Sequence, residues 1–210
     1  MRTRVIATDD PDALDQAVAF LDTQAVIAAP TDTVYGLVCS VTSGAAMDAL
    51  YEAKGRPPQK ALPVLLAGED QLDRVVATVP EAARRLMARF WPGPLTLVLP
   101  GLPHLPARLT AGMGTVAVRV PDHPVLRALA RRSGPLASSS ANRSGGPECV
   151  DAPAVLAQLD GLIPLILDGG PAPVGIPSTV LALTETGAVI LREGPIGHAV
   201  RAFLSEQSAP

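Results

Sequence analysis

Apolar runs alternate along the chain with polar, proline- and glycine-bearing clusters, and the two periodicities they follow predict interleaved strands and helices. Residues 25 to 29 (Ala-Val-Ile-Ala-Ala) form an unbroken apolar run that stops at Pro30, the pattern of a strand buried on both faces. Similar runs predict strands over 62–67, 95–99, 135–138, 163–168, 178–183 and 188–192. In residues 115–120 (Thr-Val-Ala-Val-Arg-Val) the alternation places Thr115, Ala117 and Arg119 on one side of a strand. Helical spacing of Leu14, Ala17, Val18 and Leu21 predicts a helix over 11–23, capped at Asp10-Pro11. Ser43 opens a second helix over 43–54 with Ala46, Leu50 and Ala53 on one face, and Gly55 suits its left-handed C-terminal cap. Further helices are predicted over 69–77, 80–90, 123–132, 151–159 and 196–205. With no internal repeat, low-complexity tract or linker, residues 1–210 read as a single α/β domain built on a mixed sheet.

Composition narrows the class of function. Aromatic residues make up only 3% of the chain, so the core must pack on Val, Leu, Ile and Ala. The 22 prolines and 18 glycines flank apolar runs, which marks short connections and not disorder. A net charge of −3 lacks the basic footprint of general nucleic-acid binding. The clusters Arg84-Arg85 with Arg89, and Arg127 with Arg131-Arg132, read better as solvated helix faces. Cys39 and Cys149 have neither metal-type spacing nor a disulfide framework, which fits reduced thiols in a cytoplasm. No apolar run reaches about 18 residues, so no membrane span is expected. An N-terminus carrying Asp9, Asp10 and Asp12 is no signal peptide.

Three polar clusters carry the candidate chemistry. Pro30-Thr31-Asp32-Thr33 follows a strand and offers two hydroxyls and a carboxylate, although Asp32 could equally cap a turn. Lys54-Gly55-Arg56-Pro57 lies at a helix C-terminus, the wrong end of the dipole for anions, so anion binding there must come from the two side chains. Ser138-Ser139-Ser140-Ala141-Asn142 follows an apolar strand and has the makings of an anion-binding nest, without the Gly-Lys-Ser/Thr ending of a P-loop. Arg119 stands inside an apolar strand, where a cation needs a carboxylate partner from the protein or from a ligand. Arg192 ends another strand, and Ser178-Thr179 begins one. His104, His123 and His198 each stand alone, so no protein-held metal is expected. No nucleophile elbow, Cys–His pair or paired-carboxylate motif is present, which argues against covalent catalysis.

In this order the clusters resemble the YrdC family of L-threonylcarbamoyladenylate synthases. The resemblance runs through Pro30-Thr31-Asp32-Thr33-Val34-Tyr35-Gly36-Leu37, Lys54-Gly55-Arg56-Pro57, Trp91-Pro92-Gly93-Pro94-Leu95-Thr96 and Thr115-Val116-Ala117-Val118-Arg119-Val120-Pro121. It continues through Ser140-Ala141-Asn142 with Ser144-Gly145, Ser178-Thr179-Val180 and Leu191-Arg192-Glu193-Gly194. It implies an open, twisted sheet with flanking helices and a deep concave groove. It also implies a reaction in which L-threonine, bicarbonate and ATP give threonylcarbamoyl-AMP and pyrophosphate. Mg²⁺ would accompany ATP without a dedicated protein site, and downstream tRNA-modification proteins would take the product. By resemblance Lys54 and Arg56 are catalytic and hold the triphosphate, and Thr115, Ser140, Asn142 and Arg192 contact ATP. Thr31, Arg119 and Ser178 grip threonine, Arg119 taking its carboxylate. Where some members carry a His after the Lys-x-Arg motif, this chain runs Leu62-Pro63-Val64-Leu65-Leu66. Ending at Pro210, it resembles the short form of the family.

Two rival readings follow from the same residues. A YrdC-like module that holds tRNA or double-stranded RNA without making the adenylate is weakened by the acidic balance and the scarcity of aromatic platforms. A carbamoyl-adenylate-forming domain like that of hydrogenase-maturation carbamoyl transferases would be accompanied by zinc-finger cysteine pairs, and this chain has two cysteines in all.

Overall fold

Backbone hydrogen bonds join the apolar runs into one mixed sheet in the computed structural model, which describes residues 2–55, 60–184 and 187–207. The strands are β1 (Arg4–Ala7), β2 (Ile27–Ala29), β3 (Gly36–Ser40), β4 (Val64–Leu65), β5 (Leu95–Pro100), β6 (Thr115–Arg119), β7 (Leu136–Ser140), β8 (Leu165–Asp168), β9 (Thr179–Thr184) and β10 (Gly187–Arg192). Among the described residues they lie side by side in the order β1-β8-β2-β3-β7-β4-β6-β5-β9-β10. The pairs β1/β8, β2/β8, β4/β6 and β5/β9 are parallel, and the others are antiparallel. The helices are α1 (Ala13–Asp22), α2 (Gly44–Lys54), α3 (Glu81–Phe90), α4 (Ala107–Thr110), α5 (Pro124–Ser133), α6 (Ala152–Leu159) and α7 (Gly197–Gln207). None of the described helices is long and apolar enough to cross a membrane.

Strand alternation sends successive side chains to opposite faces, and the two faces are closed differently. On one face, Leu37, Cys39, Val64, Leu95, Leu97, Val116, Val118 and Leu181 pack against apolar residues of α2, α3, α4, α6 and α7. On the other, Ile27, Val38, Leu136, Leu165 and Leu167 pack against Ala13, Ala17 and Leu21 of α1 and Leu126, Leu129 and Ala130 of α5. That second cluster ends at Leu65 of β4. Beyond it the same face continues as Ala117 and Arg119 of β6, Thr96 of β5 and Val180 of β9, and these residues line a cleft.

Helix α2 shows how the sequence sets its own limits. Ser43 Oγ accepts from the Ala46 backbone N–H at 3.1 Å, satisfying one of the unpaired donors of the first turn. Gly55 ends the helix at φ 61° and ψ 37°, the left-handed region a residue without Cβ enters at low cost.

Several boundaries differ from the sequence expectation. Helix α1 starts at Ala13, because Asp10 Oδ1 instead accepts the Asp12 N–H in a turn. Residues Glu69–Arg74 form a 3-10 turn and no α-helix. Strand β4 keeps only two of the six residues predicted, and on its N-terminal side Pro63 has no N–H to contribute. Strands β1 and β3 and helix α4 were not anticipated. β1 is an edge strand with only Ile6 buried, β3 was absorbed into the polar motif before it, and α4 is a single turn.

Candidate functional site

The uncovered part of the sheet face forms the floor of a cleft of about 290 Å³, and loops from both ends of the chain form its walls. The first wall is the turn after β2. Thr31 Oγ1 donates to the Val34 carbonyl at 2.7 Å and accepts from the Thr33 N–H at 3.0 Å. With its hydrogen committed to Val34, Thr31 accepts from the Thr33 hydroxyl at 2.9 Å. The Thr33 hydroxyl in turn accepts from Arg119 Nη1 at 2.9 Å. A directed hydrogen-bond chain therefore runs from guanidinium to backbone, and its members fix one another.

Arg119 is 4% exposed, yet it is among the residues that line the cleft. Its Nε donates to the Gly93 carbonyl at 2.9 Å, and Nη2 forms a buried ion pair with Asp32. Among the described residues three of its five N–H groups are thus engaged, leaving one on each terminal nitrogen. Burial pulls the Arg119 pKa below its ordinary value; Asp32 opposes that shift and nearby Arg192 adds to it. The protein itself therefore supplies the carboxylate that a cation in an apolar strand requires. The Gly93 carbonyl is available because residue 93 is glycine: a Cβ there would meet the Phe90 carbonyl oxygen at 2.5 Å.

The opposite wall comes from the end of the chain. Arg192 donates from Nε to the Ser178 carbonyl and from Nη2 to Ser178 Oγ, both at 3.0 Å. Ser178 Oγ also bonds Thr96 Oγ1 at 2.8 Å. This grip needs Gly194 against the strand, since a Cβ there would lie 2.3 Å from the Thr179 nitrogen. The loop before Ser178 hangs on the first wall: Val174 N–H donates to the Asp32 carbonyl at 3.2 Å and Gly175 N–H to that of Thr33 at 2.8 Å.

Behind the cleft, Lys54 is 4% exposed and holds the Ser140–Asn142 loop. Its Nζ donates to the Ser140 carbonyl at 2.5 Å, the Asn142 carbonyl at 2.6 Å and Asn142 Oδ1 at 3.1 Å. Ser140 Oγ donates to the same Asn142 oxygen at 2.6 Å, and Asn142 Nδ2 donates to the Gly146 carbonyl at 2.7 Å. Tyr35 anchors the region from below, its hydroxyl donating to the Gly170 carbonyl at 2.7 Å and accepting from Gly169 N–H at 3.1 Å. Burial pushes that phenol up to about 12.

Of the residues singled out in the sequence, Thr31, Arg119, Ser140, Ser178 and Arg192 line the cleft. Lys54 and Asn142 stand behind Ser140, and Thr115 is half-buried on the strand of Arg119 but outside the lining. Arg56 lies outside the described residues. Thr33, Thr96, Glu148 and the apolar Pro63 and Leu65 line the cleft without having been assigned. Thr96 carried a signal: it alternates with the core-facing Leu95 and Leu97. Glu148 is the carboxylate in the lining, and no group of three or more metal-ligating side chains occurs among the described residues. The arrangement suits an anionic, hydroxyl-bearing ligand and offers orientation and charge in place of a nucleophile.

Comparison with known proteins follows the same lines. The Sua5/yciO/yrdC family model, described as "Telomere recombination", matches residues 19–194. The threonylcarbamoyl-AMP synthase of Bacillus subtilis (strain 168) is 47% identical over 196 residues, covering 92% of this chain and 56% of the relative. The chain thus spans little more than half of that relative's length. Among solved structures, P. abyssi Sua5 complexed with L-threonine superimposes with a TM-score of 0.90 at 38% identity, over 95% of this chain and 60% of that one. E. coli YciO gives a TM-score of 0.80 at 29% identity, over 93% and 98% of the two chains. The family model and the similarity to these relatives agree, and the chain belongs to the Sua5/YciO/YrdC family.

Proposed function

We propose that this chain makes threonylcarbamoyl-AMP and pyrophosphate from L-threonine, bicarbonate and ATP, for threonylcarbamoyl modification of tRNA by downstream proteins. The name of the B. subtilis relative and the threonine in P. abyssi Sua5 support this reading. The observation that carries it is Arg119: a buried cation, fixed on three sides, with one N–H on each terminal nitrogen left for a carboxylate at the cleft.

In this reading threonine binds with its carboxylate on Arg119 and its polar groups near Thr31 and Ser178. Its amine combines with bicarbonate, with loss of water, to give a carbamate, and a carbamate oxygen attacks the α-phosphate of ATP, expelling pyrophosphate. No protein nucleophile is needed, only alignment and charge neutralisation. Arg192, Ser140, Asn142 and Thr115 contact ATP, and Arg56 takes part of the triphosphate charge. Lys54 adds its charge from behind the Ser140–Asn142 loop that it holds. Mg²⁺ would travel with the phosphates of ATP and offset part of their charge. Free, buried Cys39 and Cys149 support a reducing, cytoplasmic setting. Incubation with threonine, bicarbonate, Mg²⁺ and ATP should yield the adenylate by mass spectrometry. Double-stranded RNA binding without adenylate formation would overturn the reading.

A further inference from the structure

We propose that Asp32 is a positioning residue for the amino-acid carboxylate site, holding the Arg119 fork at the angle that presents its two remaining N–H groups to the cleft. This rests on the reading of Arg119 given under the proposed function and goes beyond it, because Asp32 itself lies outside the cleft lining. Each guanidinium nitrogen has one anchor: Nε on the Gly93 carbonyl, Nη1 on Thr33 Oγ1 and Nη2 on Asp32 Oδ1. Three anchors on a planar group fix both its plane and its rotation within that plane. Removing the Asp32 anchor leaves two, and the fork can then tilt about the line that joins them.

The ion pair is built poorly for stability alone. Asp32 is 6% exposed, and only Oδ1 meets Arg119, while Oδ2 is buried without a hydrogen-bond partner among the described residues. A side-on pair would use both oxygens and two N–H groups, satisfying the carboxylate and closing the fork. Single-point pairing leaves a carboxylate oxygen unsatisfied and keeps an Nη2 N–H for a ligand. The Asp32 backbone is fixed in turn, since its carbonyl receives the Val174 N–H of the loop that leads to Ser178.

Charge and aim predict opposite signs for the same variant. Deleting the carboxylate makes the site more positive, and charge alone would then strengthen binding of an anionic group. Loss of aim weakens it. Steady-state kinetics of the full chain, with threonine and ATP varied separately, should show at least a tenfold rise in threonine KM for Asp32→Ala and an ATP KM within twofold of the parent. Asp32→Asn keeps an acceptor without the charge and should give an intermediate, threonine-selective rise of at least threefold. If Asp32→Ala fails to fold, the Asn variant decides alone. An unchanged or lowered threonine KM, or an equal rise for both substrates, overturns the proposal whenever Arg119→Ala still raises threonine KM. A normal threonine KM in Arg119→Ala, or no adenylate from the parent chain, instead defeats the reading on which the proposal rests.

Discussion

One face of a single sheet is finished in two ways. Over β8, β2, β3 and β7 it is roofed by α1 and α5, and its side chains are Ile27, Val38, Leu136 and Leu165, all buried. Over β6, β5 and β9 it meets no described helix, and the equivalent positions hold Ala117, Arg119, Thr96 and Val180 around the cleft. Strand geometry is the same in both halves, so the roof decides the chemistry. Beneath helices the positions must be apolar and close-packed; without them, small and polar residues leave room for a ligand.

The contrast can be broken at either half. In the roofed half Leu129→Ala removes a fully buried side chain and should lower unfolding free energy by about 2–5 kcal/mol, with threonine KM unchanged. Urea denaturation and kinetics together check it. In the open half Lys54→Ala deletes three bonds to the Ser140–Asn142 loop and should lower turnover at least about 100-fold, about 2.7 kcal/mol in activation free energy. Pyrophosphate release measures this. Ala117→Leu adds bulk to the floor of the cleft; it should raise threonine KM about tenfold and leave the melting temperature within a few degrees.

A further effect is alkaline and belongs to the core. Burial pushes the Cys39 thiol up to about 12 from an ordinary value of 9.0. Between those pH values the unfolded chain loses this proton while the native chain keeps it. Native protein then binds more protons, and stability falls as pH rises from 9, by at most about 1.4 kcal/mol per unit from this group. Urea midpoints at pH 8, 9.5 and 10.5 should fall less steeply for Cys39→Ala than for the parent chain.

What the sequence revealed depended on the range of the interaction. Both ends of α2 were legible, because Ser43 and Gly55 act on residues within one turn of themselves. The need of Arg119 for a partner was legible from the apolar strand around it, but the partner was not. Asp32 lies 87 positions away and was also suited to capping its own turn. Lys54 was read as a residue facing phosphates, and it donates to the Ser140 and Asn142 backbone carbonyls, groups which every residue carries and no sequence pattern marks. Thr33 and Thr96 were inside the recognised motifs; strand alternation sets Thr96 apart from Leu95 and Leu97, whereas only the fold shows that Thr33 lines the cleft.

The loop of Val174 and Gly175 hangs on the turn at Asp32 and Thr33, and Arg192 grips Ser178 from the last strand. Early and late stretches of the polypeptide are therefore halves of one vessel. During synthesis the first half emerges long before the second, and β9 must insert beside β5 before the vessel has a second side. A nascent chain arrested before residue 192 should therefore lack the cleft, because Arg192 has not yet arrived to grip Ser178.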